Sequence, residues 1–207
     1  FCKARDIFLF SDEIYLMSDF GNKEPMPSAC TLYDNCVSLF GMSKTLSQPG
    51  LRLGWLITRN KIVLDKMNRC KDYFSQCCAA TSEILAIITL RNIRTIVENN
   101  KQLALRNLNL LDEFFAEQSD IFEWHRPKGA TVVLVKIKGW LMREFGTASK
   151  FCHTLITEAS IVLLPVRIFD IDDQKDYFVR FGFGKTDLPE CLDALRHFLR
   201  SRKPFLA

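Results

Sequence analysis

The chain is short of histidine, and none of the three it has lies beside a cysteine pair: His125, His153 and His197 stand alone. Its eight cysteines never fall in CxxC spacing. Together these absences argue against a zinc site, and no metal is expected. A disulfide framework is also unnecessary, because 207 residues can bury a core without one. The thiols are expected to be reduced, in the cytoplasm, with the adjacent Cys77 and Cys78 serving as small core residues on a helix. Strong charge of either sign is missing. A net charge of +4 gives no case for nucleic acid or an anionic membrane as main partner. Long apolar runs are missing too. "ILAIITL" at 84–90 is far too short to span a bilayer. Lys3, Arg5 and Asp6 are followed by no cleavage-like segment, so no signal peptide is expected. There is no internal repeat and no low-complexity stretch.

What remains has the composition of a folded globular chain, with 48% apolar and 25% charged residues. It opens "FCKARDIFLFSDEIY", without a methionine. The first five residues read as the tail of a helix and the next six as a strand, so the chain is expected to be the C-terminal part of a longer protein. "DIFLFS" (6–11), "CVSLF" (36–40) and "LRLGWLIT" (51–58) are apolar runs of the kind buried in a parallel sheet. Helical spacing covers 61–75 and 81–118, the second long enough to need a bend. After "RPKGA" (126–130) the spacing predicts strands at 131–137, 161–165 and 177–183, and helices at 147–159 and 187–202. Asp187 is placed to cap the last helix, with Pro189 in its first turn. The pattern is α/β first and α+β second, with a boundary within 105–120.

The stretch "SLFGMSKTLSQPGLRLGW" (38–55) sets two cations beside apolar sequence. A lysine used as a covalent catalyst has to be held at a fixed place. Loops at the carboxyl ends of parallel strands provide such places, and Lys44 follows "CVSLF" directly. Arg52 returns eight residues later, after the Pro49-Gly50 turn. A guanidinium near the Ser43 hydroxyl and backbone N–H groups makes a phosphate site. "SDEIY" (11–15) supplies a carboxylate, Asp12, closing an apolar strand, where burial would demand a positive partner. Tyr15 follows three residues later.

These residues together resemble the fold-type I pyridoxal-phosphate enzymes, and within them the class I/II aminotransferases. The family pattern is Asp-Glu-x-Tyr at a strand end, then Ser-Lys, then Pro-Gly-x-Arg-x-Gly. The chain has Asp12-Glu13-Ile14-Tyr15, Ser43-Lys44 and Pro49-Gly50-Leu51-Arg52-Leu53-Gly54, in that order. Near the C-terminus "YFVRFGFGK" looks like the family's carboxylate-binding strand, with Arg180 as its arginine.

The resemblance implies a fold and a set of roles. Residues 1–110 would be the remainder of the large cofactor-binding domain, a mostly parallel sheet with helices, and 111–207 a smaller α+β domain. Lys44 would form a Schiff base with pyridoxal 5′-phosphate and then carry the proton moved in catalysis. Asp12 would pair with the pyridine nitrogen, Tyr15 with the ring's phenolic oxygen, and Ser43 and Arg52 with the phosphate. Arg180 would take the substrate carboxylate. The implied activity moves an amino group between an amino acid and a 2-oxo acid, in a homodimer. A lyase or cyclase on the same fold, and a noncatalytic aminotransferase-like domain, are alternatives. Two departures stand out. Gly41 occupies a position where the family often has a second hydroxyl residue. The family's N-terminal half, with its glycine-rich phosphate turn and ring-stacking aromatic, has no counterpart in these residues.

Other features have simpler readings. "FGFGKT" (181–186) lacks the first glycine of a P-loop, since Val179 stands there. Phe114, Phe115, Phe122 and Trp124 read as small-domain core, Trp55 as packing, and Lys136 and Lys138 as the solvated side of a strand. Glu13 is assigned a supporting or exposed role.

Overall fold

The first apolar run becomes strand β1 (Leu9–Asp12), the second β2 (Cys36–Gly41) and the third β3 (Gly54–Ile57). These are the elements of a computed structural model that describes residues 1–21, 24, 26–169 and 176–203. β2 is central: it runs parallel to β1 and antiparallel to β3. Its position explains why its sequence is continuously apolar or small, because both faces are covered, with Cys36 and Val37 at 0% and 2% exposure. β1 and β3 are outer strands and leave Phe10 and Leu56 exposed. The run at 51–58 yields a strand only from Gly54, because Pro49–Leu51 form a 3-10 turn.

Short helix α1 (Ala29–Leu32) lies on the crossover between the parallel pair. α2 (Lys61–Ser75) starts where expected, and the Asn60 side chain accepts from the amides of Ile62 and Val63 at 3.1 and 3.2 Å. The long helical pattern breaks into α3 (Ala80–Arg91) and α4 (Ile93–Glu117). The bend sits at Asn92, whose side-chain amide turns back to the Ile88 carbonyl at 2.8 Å and competes with the helical ladder. One expectation fails here. Cys77 and Cys78 are not core residues on a helix. α2 ends at Ser75, so the pair lies in the connection to α3, with Cys77 exposed.

The chain divides into two compact units, Phe1–Lys101 and Gln102–Ala207, with the division inside α4. The first unit has a core of Phe40, Met42, Leu46 and Ala86. Trp55 and, from the start of α4, Ile93, Ile96 and Val97 pack around it. Phe40 and Trp55 have ring centroids 5.2 Å apart.

The second unit contains β4 (Phe122–Trp124), β5 (Val132–Ile137), α5 (Gly139–Phe145), α6 (Ala148–Ala159), β6 (Leu164–Pro165), β7 (Phe178–Gly182) and α7 (Leu188–Arg202). Its sheet has order β4-β5-β7-β6, with every pairing antiparallel. Phe115 holds the core together as expected of the aromatic set, with centroids 5.7 Å from Phe122, 4.7 Å from Trp124 and 5.2 Å from Phe181. Gly139 has φ +60°, and a Cβ there would lie 2.4 Å from the Asp120 carbonyl oxygen, so the entry to α5 needs glycine. Asp187 stands at the N-cap of α7, but its side chain makes no capping bond; Pro189 sits in the first turn. The two units together are α/β with one mixed and one antiparallel sheet.

Candidate active site

Strand register decides which residues meet. Asp12, the last residue of β1, pairs with Leu39 of β2, and Gly41, the last of β2, pairs with Gly54, the first of β3. The carboxyl ends of β1 and β2 and the amino end of β3 therefore lie at one end of the sheet. Asp12 and Tyr15 leave it from β1, Ser43 and Lys44 leave it from β2, and Arg52 enters it two residues before β3. Residues that are 40 positions apart in the chain come to one edge by hydrogen-bonded pairing alone. That edge is where open sheets with parallel strands carry their ligands.

The turn that holds Lys44 is anchored on both sides. Met42 and Leu46 are 0% and 1% exposed in the core, whereas Lys44 between them is exposed. Main-chain bonds close the loop: Met42 N–H to Leu53 O at 3.0 Å, Gln48 N–H to Met42 O at 2.8 Å, and Ser47 N–H to Lys44 O at 2.9 Å. The Gln48 side chain accepts from the Thr89 hydroxyl of α3 at 3.0 Å. Among the described residues the Lys44 amine has no hydrogen-bond or ion-pair partner, so it is available to a ligand.

Asp12 is exposed rather than buried, because β1 is an outer strand, and among the described residues it lacks the cation that burial would have required. Its Oδ1 accepts the Ile14 amide at 3.1 Å, which starts the turn leading to Tyr15. Arg52 adopts a left-handed backbone (φ 51°), and its guanidinium donates to the Pro49 carbonyl at 3.0 Å. That internal bond uses one of five N–H groups and leaves a fork for an anion. Gly41 is tightly packed: a Cβ would lie 3.2 Å from both Ile14 Cδ1 and the Leu53 carbonyl oxygen. A hydroxyl residue there would have to displace backbone, which accounts for the departure noted in the sequence.

Glu13 is more committed than its sequence context suggested. It accepts from the Ser38 hydroxyl of β2 and from the Ala29 amide, both at 2.8 Å, while Ser38 accepts from Ser28 and the Cys30 amide. Burial raises the Glu13 carboxyl, but the donors around it (Ser28, the Ala29 N–H, Ser38 and Ser11) outweigh this and hold it below the usual carboxylate range. Glu13 thus fastens the residues beside Asp12 to the central strand.

Thr45 and Asn100 also escaped the sequence reading. Thr45 is 5% exposed and hydrogen-bonds within 13–18, and Asn100 of α4 donates to the Thr45 carbonyl at 3.0 Å. A threonine after a lysine and a lone helical asparagine carry no pattern that distinguishes them from surface residues. Only tertiary placement reveals them.

Arg180 belongs to the second unit. It sits on β7, paired with Leu134 of β5 and Leu164 of β6, and its guanidinium lies 5.5 Å from the Phe169 ring centroid. Among the described residues it makes no carboxylate ion pair. Stacking on an aromatic leaves the in-plane N–H groups of a guanidinium free for a carboxylate. Among the described residues no cluster of His, Cys, Asp or Glu is placed to hold a metal ion, and no helix is long and apolar enough to cross a membrane.

The donor set at the sheet end comprises one carboxylate, one phenol, one amine, one hydroxyl and one guanidinium. It fits a ligand carrying a basic ring nitrogen, a carbonyl and a phosphate.

The family model for aminotransferase class I and II matches residues 1–198. The aromatic-amino-acid aminotransferase 2 of Thermococcus litoralis is 26% identical over 98% of the chain and 51% of its own length. A PLP-dependent aminotransferase of Streptococcus suis superposes with a TM-score of 0.82 at 27% identity, over 98% of the chain and 51% of its own. The PLP-dependent cyclase OrfR superposes with a TM-score of 0.84 at 24% identity, over 97% of the chain and 52% of its own, which is a likeness of fold. The chain spans about half the length of the relatives it matches.

Proposed function

The chain belongs to the class I and II aminotransferase family, and from that premise we propose that it carries the lysine-bearing part of a pyridoxal-phosphate-dependent aminotransferase. The single observation that supports this most is the strand register, which gathers Asp12, Tyr15, Ser43, Lys44 and Arg52 at one sheet end. In the assembled enzyme residues 1–110 would contribute to the large domain and 111–207 would form the small one.

Each role follows from the side chain's own chemistry. Lys44, exposed on an anchored turn, would bind the cofactor aldehyde through its amine. Once displaced by an amino acid, that amine would move the proton at the substrate α-carbon. The Asp12 carboxylate would hold a proton on the ring nitrogen. Tyr15 would donate to the ring oxygen. Ser43 and Arg52 would grip the phosphate as hydroxyl and fork. Arg180, stacked on Phe169 and without a carboxylate partner among the described residues, would take the substrate carboxylate and so fix the orientation of the bond to be broken. When bound, pyridoxal phosphate supplies the electron sink for that bond.

An amino acid and a 2-oxo acid are the substrates this reading requires. Eight free thiols fit a reducing compartment such as the cytoplasm, and the family resemblance supports a homodimer. The test is an absorbance scan of the full protein with pyridoxal phosphate. The expected result is a visible band that is lost in Lys44→Ala. A band that survives Lys44→Ala unchanged overturns the assignment. A half-reaction with amino donors, read as loss of that band and release of the 2-oxo acid, then separates amino transfer from elimination or cyclisation.

A further inference from the structure

We propose that Thr45 is a positioning residue that locks the loop bearing Tyr15 onto the turn bearing Lys44, an inference that rests on reading those two residues as cofactor ligands. The last main-chain bond between the strands at this end runs from Glu13 N–H to Leu39 O, at 2.9 Å. Beyond it the two loops have no backbone ladder. Among the described residues, every hydrogen bond joining residues 14–18 to residues 42–47 ends on the Thr45 hydroxyl. Its Oγ1 lies 3.1 Å from Ile14 O, 2.8 Å from Leu16 O and 2.8 Å from Ser18 Oγ.

The directions of these bonds follow from proton count. A threonine hydroxyl has one proton, and a carbonyl oxygen can only accept. The single Thr45 proton is therefore shared between the two carbonyls, with Leu16 O the nearer, and Ser18 must donate to Thr45. The carbonyls so held belong to the residues on either side of Tyr15. The donor is the residue directly after Lys44. One buried hydroxyl thus ties the phenol-bearing backbone to the amine-bearing backbone.

The clamp is itself braced. Asn100 of α4 donates to Thr45 O at 3.0 Å, so the peptide on the far side of the side chain is fixed as well. Within the loop, Leu16 N–H bonds Glu13 O at 2.8 Å and Ser18 N–H bonds Tyr15 O at 3.0 Å, giving two consecutive turns that move as a unit. Leu46, the next residue, is buried in the core. Displacing Thr45 would therefore remove the hydrogen bonds that hold residues 14–18 to the turn, leaving Glu13 fixed and Leu16 held by packing alone, without unseating the turn's apolar anchors. A phenol meant to tune a lysine-bound aldehyde must keep its distance from that lysine to within fractions of an ångström, and this is the contact able to enforce it.

The test compares Thr45→Val, which keeps the shape and loses the hydroxyl, with Thr45→Ser, which keeps the hydroxyl. Two readouts are taken on the full chain. The first is amide hydrogen exchange without cofactor. Thr45→Val is expected to speed exchange at residues 16 and 18 at least tenfold, with Thr45→Ser close to the parent. The second uses pyridoxal phosphate as the probe. Its affinity is expected to fall about tenfold in Thr45→Val, with a shifted pH midpoint for the visible band, and both are expected to return in Thr45→Ser. Unchanged exchange in Thr45→Val overturns the clamp. Faster exchange with an unaltered band and affinity overturns the positioning role and leaves a structural bond. If the parent binds no pyridoxal phosphate, the functional reading fails while the exchange arm still decides whether the clamp exists. Should Thr45→Val not fold, Thr45→Cys, with its weak thiol donor, carries the same comparison.

Discussion

Asn107→Ala should destabilise the second unit more than any surface change. Asn107 lies on α4 and is 4% exposed. Its side-chain amide donates to Phe183 O at 2.9 Å and to Lys185 O at 2.6 Å, holding the segment that leaves β7 against the helix. Alanine removes both donors. The Phe183 carbonyl loses its bond in a buried setting, which costs about 1–3 kcal/mol. Lys185 is exposed, so water can replace its donor, and that loss is at most about 1 kcal/mol. The sum is about 1–4 kcal/mol, or roughly 5–20 °C in Tm for a unit of this size. Tryptophan fluorescence reads it selectively. In a Trp55→Phe background the two remaining tryptophans, Trp124 and Trp140, both lie in the second unit. Asn107→Asp should be worse than alanine, since a carboxylate would face two carbonyl oxygens. A Tm shift under about 3 °C for Asn107→Ala, or Asn107→Asp equal to the parent, would refute the reasoning.

Two further predictions concern protonation. Glu13 is held below the ordinary carboxylate range, so its ionised form stabilises the fold at pH values above its unfolded pKa. That stability is lost as pH falls through the lower folded value. Relative to Glu13→Gln, the parent should therefore lose stability as the pH falls through and below the ordinary carboxylate range, measured as unfolding midpoints; a difference that stays flat on acidification contradicts the assignment. Burial, followed by the Asp176 charge, pushes the Cys152 thiol up to about 12. At pH 8 it should react with a maleimide roughly a thousandfold more slowly than an unperturbed thiol, while exposed Cys70 and Cys77 label readily. Peptide mapping that finds Cys152 labelled within tenfold of Cys77 would sink this.

Much of the fold was legible because the signals were local. The period of 61–75 defines α2 to the residue, and the continuous apolar run at 36–40 marks a strand covered on both faces. What escaped depended on partners far along the chain. β4 is three residues long and is a strand only because β5 pairs with it. α5 begins at a glycine whose positive φ is dictated by the Asp120 carbonyl, a contact invisible in "KIKGWL". Cys77 and Cys78 read as helical because the pattern around them is apolar, yet α2 stops two residues earlier. At the sheet end the reactive side chains were legible as motif letters, but the residues that fix their spacing were not. Thr45, Ser38 and Asn100 bond backbone, hydroxyl or carboxylate groups far along the chain, and such partners leave no periodicity.

The burial sequence through "GMSKTL" accounts for how an amine in the role proposed for Lys44 can be both fixed and reachable. Met42, Thr45 and Leu46 are 0%, 5% and 1% exposed, and Lys44 among them is exposed. A lysine carries about 2 kcal/mol of rotamer entropy, so holding its head group in place by direct contacts would cost stability and block its chemistry. Here the order is spent on the backbone instead. Apolar anchors stand two residues to either side, and a buried hydroxyl lies next to the lysine. The Cα of Lys44 is thereby set while the four-carbon stem stays free, as the proposed exchange between cofactor binding and proton transfer would need. The same division holds at Arg52, where a left-handed backbone and a bond to Pro49 O set the base of the side chain and leave most of the fork unspent. Sites built this way tolerate exchange of the ligand more readily than loss of the anchors. Leu46→Ala should therefore harm cofactor binding although it touches no ligand, because a cavity under the turn, at about 2–5 kcal/mol, releases the one element that cannot be allowed to drift.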